Sequence, residues 1–563
     1  MKWPLPRKKL ESSSSQTQSE AKDATSALDI NGLPNELLMA VFSFTTPTEG
    51  AIFNPPSRNA LAQVTSQPLC LSQVCSRWRA LTRCMPELWA SLTITRSDSD
   101  ISDYPAFKTL LLQHFELSDA IPLSIRLPGH VRVTLGSGTG TAHLQILDIV
   151  RTHSHRLKSL DMSSLNTLWK TVPFGVVNHG GWDGHPEYTL PILESLSFST
   201  PSVGTSTYNH SQLQHLLDNT HTPNLKKLQV HQCDFWSPST FTREFTTIPY
   251  TQLHSLTFKA YSHIDVHHIL SSCPALVCLA ITFASKGTRS IDPIPPGVLP
   301  EWHTMSTASS PISLPKLRIL SVTFPLQRVG YDTALSLFTL VAYPSLETLK
   351  LRSDNLEDFT DPPHHTEFWD TVAKSFTHGI NGKLVRLGLE QVYITDASLK
   401  KLITTCSSTL KELSIRDAGI LDGSPSRSRA SELWTFLQDL GHPESDFLRS
   451  LRILRISITT GACERRILTV IEQVILSRAA SLESVMLEVP ESLLKRSLGD
   501  LDGLMAVQRT ESLAIKVLGY PSGEAYIDYE VQQNSPPVAA KHARQTEVRG
   551  NKSGFKLAKL WKA

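Results

Sequence analysis

The stretch Leu225-Lys226-Lys227-Leu228-Gln229-Val230 reads L-x-x-L-x-φ, with φ an apolar residue, and the same six-residue cue returns along most of the chain. Its last three positions, apolar-polar-apolar, carry the alternation of a short strand with one buried face. Copies begin at Leu157, Leu193, Leu225, Leu253, Leu276, Leu317, Leu346, Leu384, Leu410, Leu451 and Leu482, eleven in all. Between them, and just ahead of the first, apolar residues fall at helical spacing over His143–His153, Asp265–Cys273, Thr333–Ala342, Ala397–Cys406, Ser431–Leu440 and Arg465–Ala479. A unit of strand, loop, helix and return buries its apolar faces against neighbouring copies. The cue therefore predicts one array where 563 residues would otherwise suggest about three or four domains.

Such a unit is the leucine-rich repeat. Spacings between first leucines run from 23 to 41 residues and average about 32, against roughly 20–29 in regular repeats. The expectation is an irregular leucine-rich-repeat solenoid, a horseshoe of α/β repeat class, over residues 96–520; separate α/β domains sharing the cue are the alternative. Thr167–Thr189, with Trp169, Trp182 and Gly180-Gly181, and the proline-containing Ser285–Ser313 are expected as loops on one rim. Rim loops are where specificity tends to sit. The residue between the last two apolar positions faces outward, giving Asp161, Ser197, Gln229, Thr257, Ala280, Ser321, Lys350, Gly388, Ser414, Arg455 and Met486 along one line. These are mixed in charge and mostly small, so this line offers no single-sign field to a nucleic acid. The array predicts binding, not chemistry.

Ahead of the array stands Leu33-Pro34-Asn35-Glu36-Leu37-Leu38-Met39-Ala40-Val41-Phe42. Pro34 suits a first helical position, where its missing N–H would be unpaired anyway, and Glu36 puts negative charge near the positive end of the helix dipole. Leu37, Leu38, Val41 and Phe42 give one wide apolar face about three turns long. A second segment, Leu71-Ser72-Gln73-Val74-Cys75-Ser76-Arg77-Trp78-Arg79-Ala80-Leu81, reads as one helix with Leu71, Val74, Cys75, Trp78 and Leu81 on a stripe, ended at Pro86. Helices this short need a partner surface. On the residues alone, a small helical core is the plain reading.

The two segments in this order, followed by Pro86-Glu87-Leu88-Trp89, resemble the F-box of the F-box proteins common in fungi. In that family a short helical module grips a Skp-type adaptor, and a downstream region, often leucine-rich repeats, holds a protein to be ubiquitinated. The resemblance implies an F-box-like helical module at 29–95, with Leu33, Pro34, Leu37, Leu38, Phe42, Val74, Cys75 and Trp78 as adaptor-binding residues. It implies as partners a Skp-type adaptor, through it a cullin, and an unidentified target protein. The chain would then be a non-catalytic substrate-recognition subunit of a Skp–cullin–F-box ubiquitin ligase, serving ubiquitin-dependent protein degradation. A repeat scaffold whose F-box engages no adaptor is the alternative. One departure from the family pattern is the long connection Thr45–Pro68, with Pro47, Pro55 and Pro56: either a tolerated loop or a distortion of the adaptor face.

The remaining signals mostly exclude. Hydrophobic residues are 40% and charged residues 19% of the chain, and no apolar run approaches the roughly 18 residues of a membrane helix. The start carries Arg7, Lys8 and Lys9 without the apolar core of a signal peptide, and residues 1–28, with Ser12–Ser15, read as disordered. A cytoplasmic or nuclear location is the expectation. Eight cysteines without a CxxC pair describe neither a disulfide framework nor a zinc module. Cys70 with Cys75, Cys273 with Cys278, His267-His268 and His364-His365 lack ligand spacing, so no metal or cofactor is expected. Gly136-Ser137-Gly138-Thr139-Gly140 superficially resembles a dinucleotide-binding turn, but Thr141 stands where the third glycine belongs. Neither a phosphate loop nor a nucleophile elbow is present. Residues 521–563 read as a disordered basic tail, formal charge +6 between Lys541 and Lys562 in a chain of +2, with Phe555, Leu557, Leu560 and Trp561 interspersed. Nucleic-acid or membrane-surface contact, if any, would run through it.

Overall fold

The computed structural model describes residues 30–45, 51–53, 67–94, 104–126, 149–150, 152–162, 189–199, 222–231, 248–260, 263–283, 312–325, 334–335, 337–354, 369, 371–374, 383–392, 394, 396–416, 437–442, 448–457, 465–490, 513–520 and 527–529. Residues 1–28, Gly136–Gly140, 541–563 and most of 167–189 and 285–313 lie outside these, as do the readings made for them.

The chain opens with helix α1 (Asn35–Thr45), strand β1 (Ala51–Phe53), helices α2 (Gln67–Val74) and α3 (Ser76–Arg83), and a 3-10 turn at Pro86–Trp89. Then come β2 (Ser91–Ile94), α4 (Tyr104–Leu117), β3 (Leu123–Arg126), β4 (Leu157–Met162), β5 (Ser195–Ser199), β6 (Lys227–His231), β7 (Ser255–Ala260), α5 (His263–Ser271) and β8 (Cys278–Phe283). They are followed by β9 (Ile312–Ser313), β10 (Ile319–Pro325), β11 (Val341–Ala342), β12 (Thr348–Asp354), β13 (Arg386–Glu390), α6 (Asp396–Cys406) and β14 (Glu412–Arg416). The last elements are β15 (Ile453–Ser457), α7 (Arg465–Arg478), β16 (Ser484–Pro490), β17 (Ala514–Tyr520) and β18 (Ile527–Tyr529). Among the described residues sixteen strands form one sheet in chain order, β9 and β11 standing apart as a small parallel pair. Every neighbouring pair in the large sheet is parallel except β17 with β18.

All eleven cues fall on strands, β4–β8, β10 and β12–β16. Their second leucines lie in Cα register, Leu160 beside Leu196, Leu228, Leu256, Leu279, Leu320, Leu349, Leu387, Leu413, Leu454 and Val485 in turn. This row and the two beside it fill one buried face, the apolar layer that parallel strands require. The register is also held outside the strands. From Glu194 to Arg452, the cue's second residue offers its carbonyl to two successive N–H groups of the next unit, as Arg318 does to Glu347 and Thr348, and Glu347 to Val385 and Arg386.

A second recurring device precedes the strands. The first leucine of a cue donates its N–H three residues back, Leu193 to Leu190, Leu225 to Thr222, Leu276 to Cys273, Leu317 to Leu314 and Leu346 to Tyr343. In each of these turns the second residue is proline, whose fixed φ suits that place. The first residue of each turn is buried. Cys273 is therefore a packing residue, and burial pushes its thiol up to about 12.

Four expectations are corrected. The stripe from Leu71 to Leu81 is two helices, broken at Cys75, whose backbone is extended (φ −156°, ψ 173°) and whose Sγ accepts the Trp78 N–H at 3.4 Å. The connection Thr45–Pro68 contains β1, which pairs with β2 from Ala51–Leu92 to Phe53–Ile94. The sheet therefore begins within residues 29–95. The helical stretch Thr333–Ala342 is helical at 334–335 and 337–340, but Val341 and Ala342 form β11, because Tyr343 precedes Pro344 and is pushed out of the helical region. Ile527–Tyr529, inside the expected tail 521–563, pairs antiparallel with β17 and covers that edge of the sheet.

Candidate functional site

The N-terminal helices close around their own core of Leu38, Phe42, Trp78, Leu81, Met85, Leu88 and Trp89. Phe42 of α1 meets Trp78 of α3 with ring centroids 4.8 Å apart and planes tilted by 59°. Arg77 ties the same helices on the outside, with Nη2 donating to the Leu33 carbonyl at 2.6 Å and Nε and Nη2 to Asn35 Oδ1 at 2.9 and 2.7 Å. Arg79 Nε donates to the Ser72 carbonyl at 3.0 Å, serving the end of α2, where backbone acceptors lack helical partners. Trp89 Nε1 donates to the Thr82 carbonyl at 2.8 Å and holds the 3-10 turn against α3.

This core is joined to that of the sheet. Leu69 packs against both, and the Trp89 ring lies 5.5 Å, edge-on, from that of His114 in α4. His114 is buried, and desolvation of its cation lowers its pKa to about 3. Arg156, just before β4, secures the end of α4 by donating to the Ile121 carbonyl at 2.9 Å and to Ser118 Oγ at 2.8 Å.

The structure divides the eight expected site residues. Leu38 and Phe42 are fully buried and Trp78 nearly so, within the module's core. Leu33 and Cys75 are half-buried against the same core. Pro34 is exposed, Leu37 is 52% exposed and Val74 57%. Phe44, which the sequence reading passed over, is 89% exposed. It lies seven residues after Leu37, so the two share a face of α1, with Val41 between them. Among the described residues, seven large apolar side chains are exposed, and Ile30, Leu37, Phe44 and Val74 are four of them. All four belong to one small module whose interior is already filled.

The sheet's other face is polar. Between the buried rows, Arg126 meets Asp161 at 3.2 Å, and Lys158 and Lys226 meet Glu194 at 3.8 and 3.2 Å. Arg318 grips Glu347 with two bonds of 2.8 and 2.7 Å, holding that carboxyl below the usual range. Further along, Glu412 lies between Arg386 at 3.3 Å and Arg455 at 3.1 Å, and Glu390 between Arg416 at 3.2 Å and Arg352 at 3.8 Å. Among the described residues no group of three or more His, Cys, Asp or Glu side chains is placed to hold a metal ion, and no helix is long and apolar enough to cross a membrane.

Residues 30–95 match the protein family described as F-box-like. The segment is an F-box-like domain. Its limits span α1 to β2, so this F-box-like domain supplies both the helical core and the first two strands of the sheet. No curated protein matches the chain. Among solved structures, a chain of the crystal structure of the Rad7 and Elc1 complex in yeast is similar at 11% identity and a TM-score of 0.30, over 72% of this chain and 97% of that one. Likeness at that level carries no argument.

Proposed function

We propose that the chain is a substrate-recognition subunit of a Skp–cullin–F-box ubiquitin ligase. The F-box-like domain docks a Skp-type adaptor, the adaptor links it to a cullin, and the long sheet acts as an irregular leucine-rich-repeat solenoid that holds a target protein. The chain itself does no chemistry in this reading; ubiquitin transfer belongs to its partners. The observation that carries the reading is the exposure of Leu37, Phe44 and Val74 on a domain whose core is already closed by Leu38, Phe42 and Trp78. Each apolar side chain of this size is worth roughly 1.5–3 kcal/mol when a partner covers it. A few such anchors dominate a typical interface.

Roles divide accordingly: Leu37, Phe44 and Val74, with Pro34 and Leu33 at the rim, face the adaptor, while Leu38, Phe42, Trp78 and Cys75 set the helices that present them. Calorimetric titration of the full chain with a purified Skp-type adaptor tests this. Leu37→Asp and Val74→Asp should each weaken binding at least ~10-fold, as burying an unpaired carboxylate demands, with the unfolding midpoint unchanged. Wild-type chain that binds no adaptor, or variants that bind as well as wild type, would overturn the proposal.

A further inference from the structure

The outward face of the sheet is not uniform. Over β5–β8 its rows carry Ser195, Ser197, Gln229, Thr257, Ala280 and Thr282, small and neutral, with Lys227 and Lys259 as the charged exceptions. Over β12–β15 the described outward side chains include five cations, Lys350, Arg352, Arg386, Arg416 and Arg455, against two carboxylates, Glu390 and Glu412. Asp354, at the end of β12, is the one further acidic residue on these rows. The lines beside the central one balance, with Arg352, Arg386 and Arg416 against Glu390, Glu412 and Asp354, so the surplus of two positive charges stands on the central line itself, at Lys350 and Arg455.

Two details single out the middle of this patch. Four of the five cations engage Glu390 or Glu412, whereas Lys350 is exposed and meets no carboxylate among the described residues. Beside it in register lies Gly388. Nothing in the fold asks for glycine there. Its φ is ordinary, and a Cβ would meet only Lys350 Cγ at 3.5 Å and backbone at 3.9 Å, which is normal contact. Glycine in a strand interior weakens the strand and leaves room for another backbone to approach closely. Ser321 and Ser414 on either side keep the floor low.

We propose that this patch seats an extended, acidic segment of the target protein, with a carboxylate on Lys350 and its backbone passing over Gly388. The inference rests on the sheet being the target-holding part of the molecule. A protein segment fits better than a nucleic acid. Glu390 and Glu412 interrupt the positive field and would repel an unbroken run of phosphates, and no outward residue described on β12–β15 is an aromatic platform for a base.

The test uses the full chain with each Lys and Arg from Lys541 to Lys562 exchanged for Gln, so that the tail does not bind the probe. The probe is a fluorescein-labelled peptide of alternating Glu and Gly residues, followed by anisotropy at low salt. Lys350→Glu and Gly388→Leu should each weaken binding by roughly tenfold, as reversal of one interface charge or loss of close approach would do. Lys226→Glu, ahead of β6, should leave it unchanged. Lys350→Gln is the milder variant should Gly388→Leu perturb the sheet, and circular dichroism reports that. No peptide binding by the parent chain, or binding indifferent to Lys350 and Gly388, would overturn the inference. Single-stranded RNA that binds more tightly than the peptide and loses as much in Lys350→Glu would overturn it in favour of a nucleic acid. Adaptor titration is a separate readout, so failure here and failure of the ligase reading are distinguishable.

Discussion

Leu37 and Leu38 are neighbours in sequence and opposite in environment, the first half open to solvent and the second with none of its surface exposed. Consecutive helical residues point about 100° apart, so an apolar face as wide as that of α1 turns part of itself inward and part outward. The consequence is separable variants. Phe42→Ala and Trp78→Ala should each cost ~3–5 kcal/mol in chemical unfolding of the domain, because a large aromatic leaves a cavity. Leu37→Asp should change stability by less than about 0.5 kcal/mol while weakening adaptor binding at least ~10-fold. Trp78→Phe offers a finer test. Trp78 Nε1 is buried with no hydrogen-bond partner among the described residues, so removing it relieves an unsatisfied donor. We expect Trp78→Phe to lose less than half as much stability as Trp78→Ala and to keep adaptor affinity. From sequence, Leu37, Leu38, Val41 and Phe42 are equivalent apolar residues on one helical face, and nothing in that spacing separates support from contact. Phe44 was missed because it falls outside the motif's last apolar position, although its seven-residue offset from Leu37 was available to be read.

The strands were legible element by element because their signal repeats. A leucine pair followed by period-2 alternation marks a buried-face strand wherever it occurs, and each of the eleven copies proved to be one. Strands without the cue were not legible. β1 is three residues, Ala51-Ile52-Phe53, in a proline-containing connection, and β17 has its leucine, Leu513, two residues before Ile515 instead of three. The break between α2 and α3 depends on a cysteine acting as an N-cap, a place Ser, Thr, Asn or Asp usually fill. Helix α4 carries the clearest prediction at this scale. The folded-state pKa of His114 lies near 3 against an ordinary 6.5, so between those values the unfolded chain takes up a proton that the native chain refuses. Its contribution is therefore complete above the unfolded pKa and is lost as pH falls, with a slope of at most ~1.4 kcal/mol per pH unit. Urea midpoints measured from neutral to mildly acid pH should fall more steeply for wild type than for His114→Leu. Parallel curves would show that His114 is protonated in the fold.

In the sixteen-stranded sheet each inner strand pairs only with its two neighbours in chain order. A deletion in the middle should therefore act locally. Leu349→Ala on β12, a fully buried position, should cost ~2–5 kcal/mol, with hydrogen-exchange protection falling first on β10, β12 and β13 while β4–β6 stay protected. Uniform loss along the chain would mean a single cooperative unit. The same continuity joins the F-box-like domain to the sheet through β1, β2, Leu69 and Trp89, so an adaptor docked on α1 is held at a fixed place relative to the first strands. On the proposed function, the adaptor covers the open face of the F-box-like domain and leaves the sheet free for a target. Hydrogen exchange on the full chain, with and without a saturating Skp-type adaptor, tests it most directly. We predict added protection over Leu37–Phe44 and around Val74, with β4–β16 unchanged; protection on the strands with none on α1, or none anywhere, would contradict it.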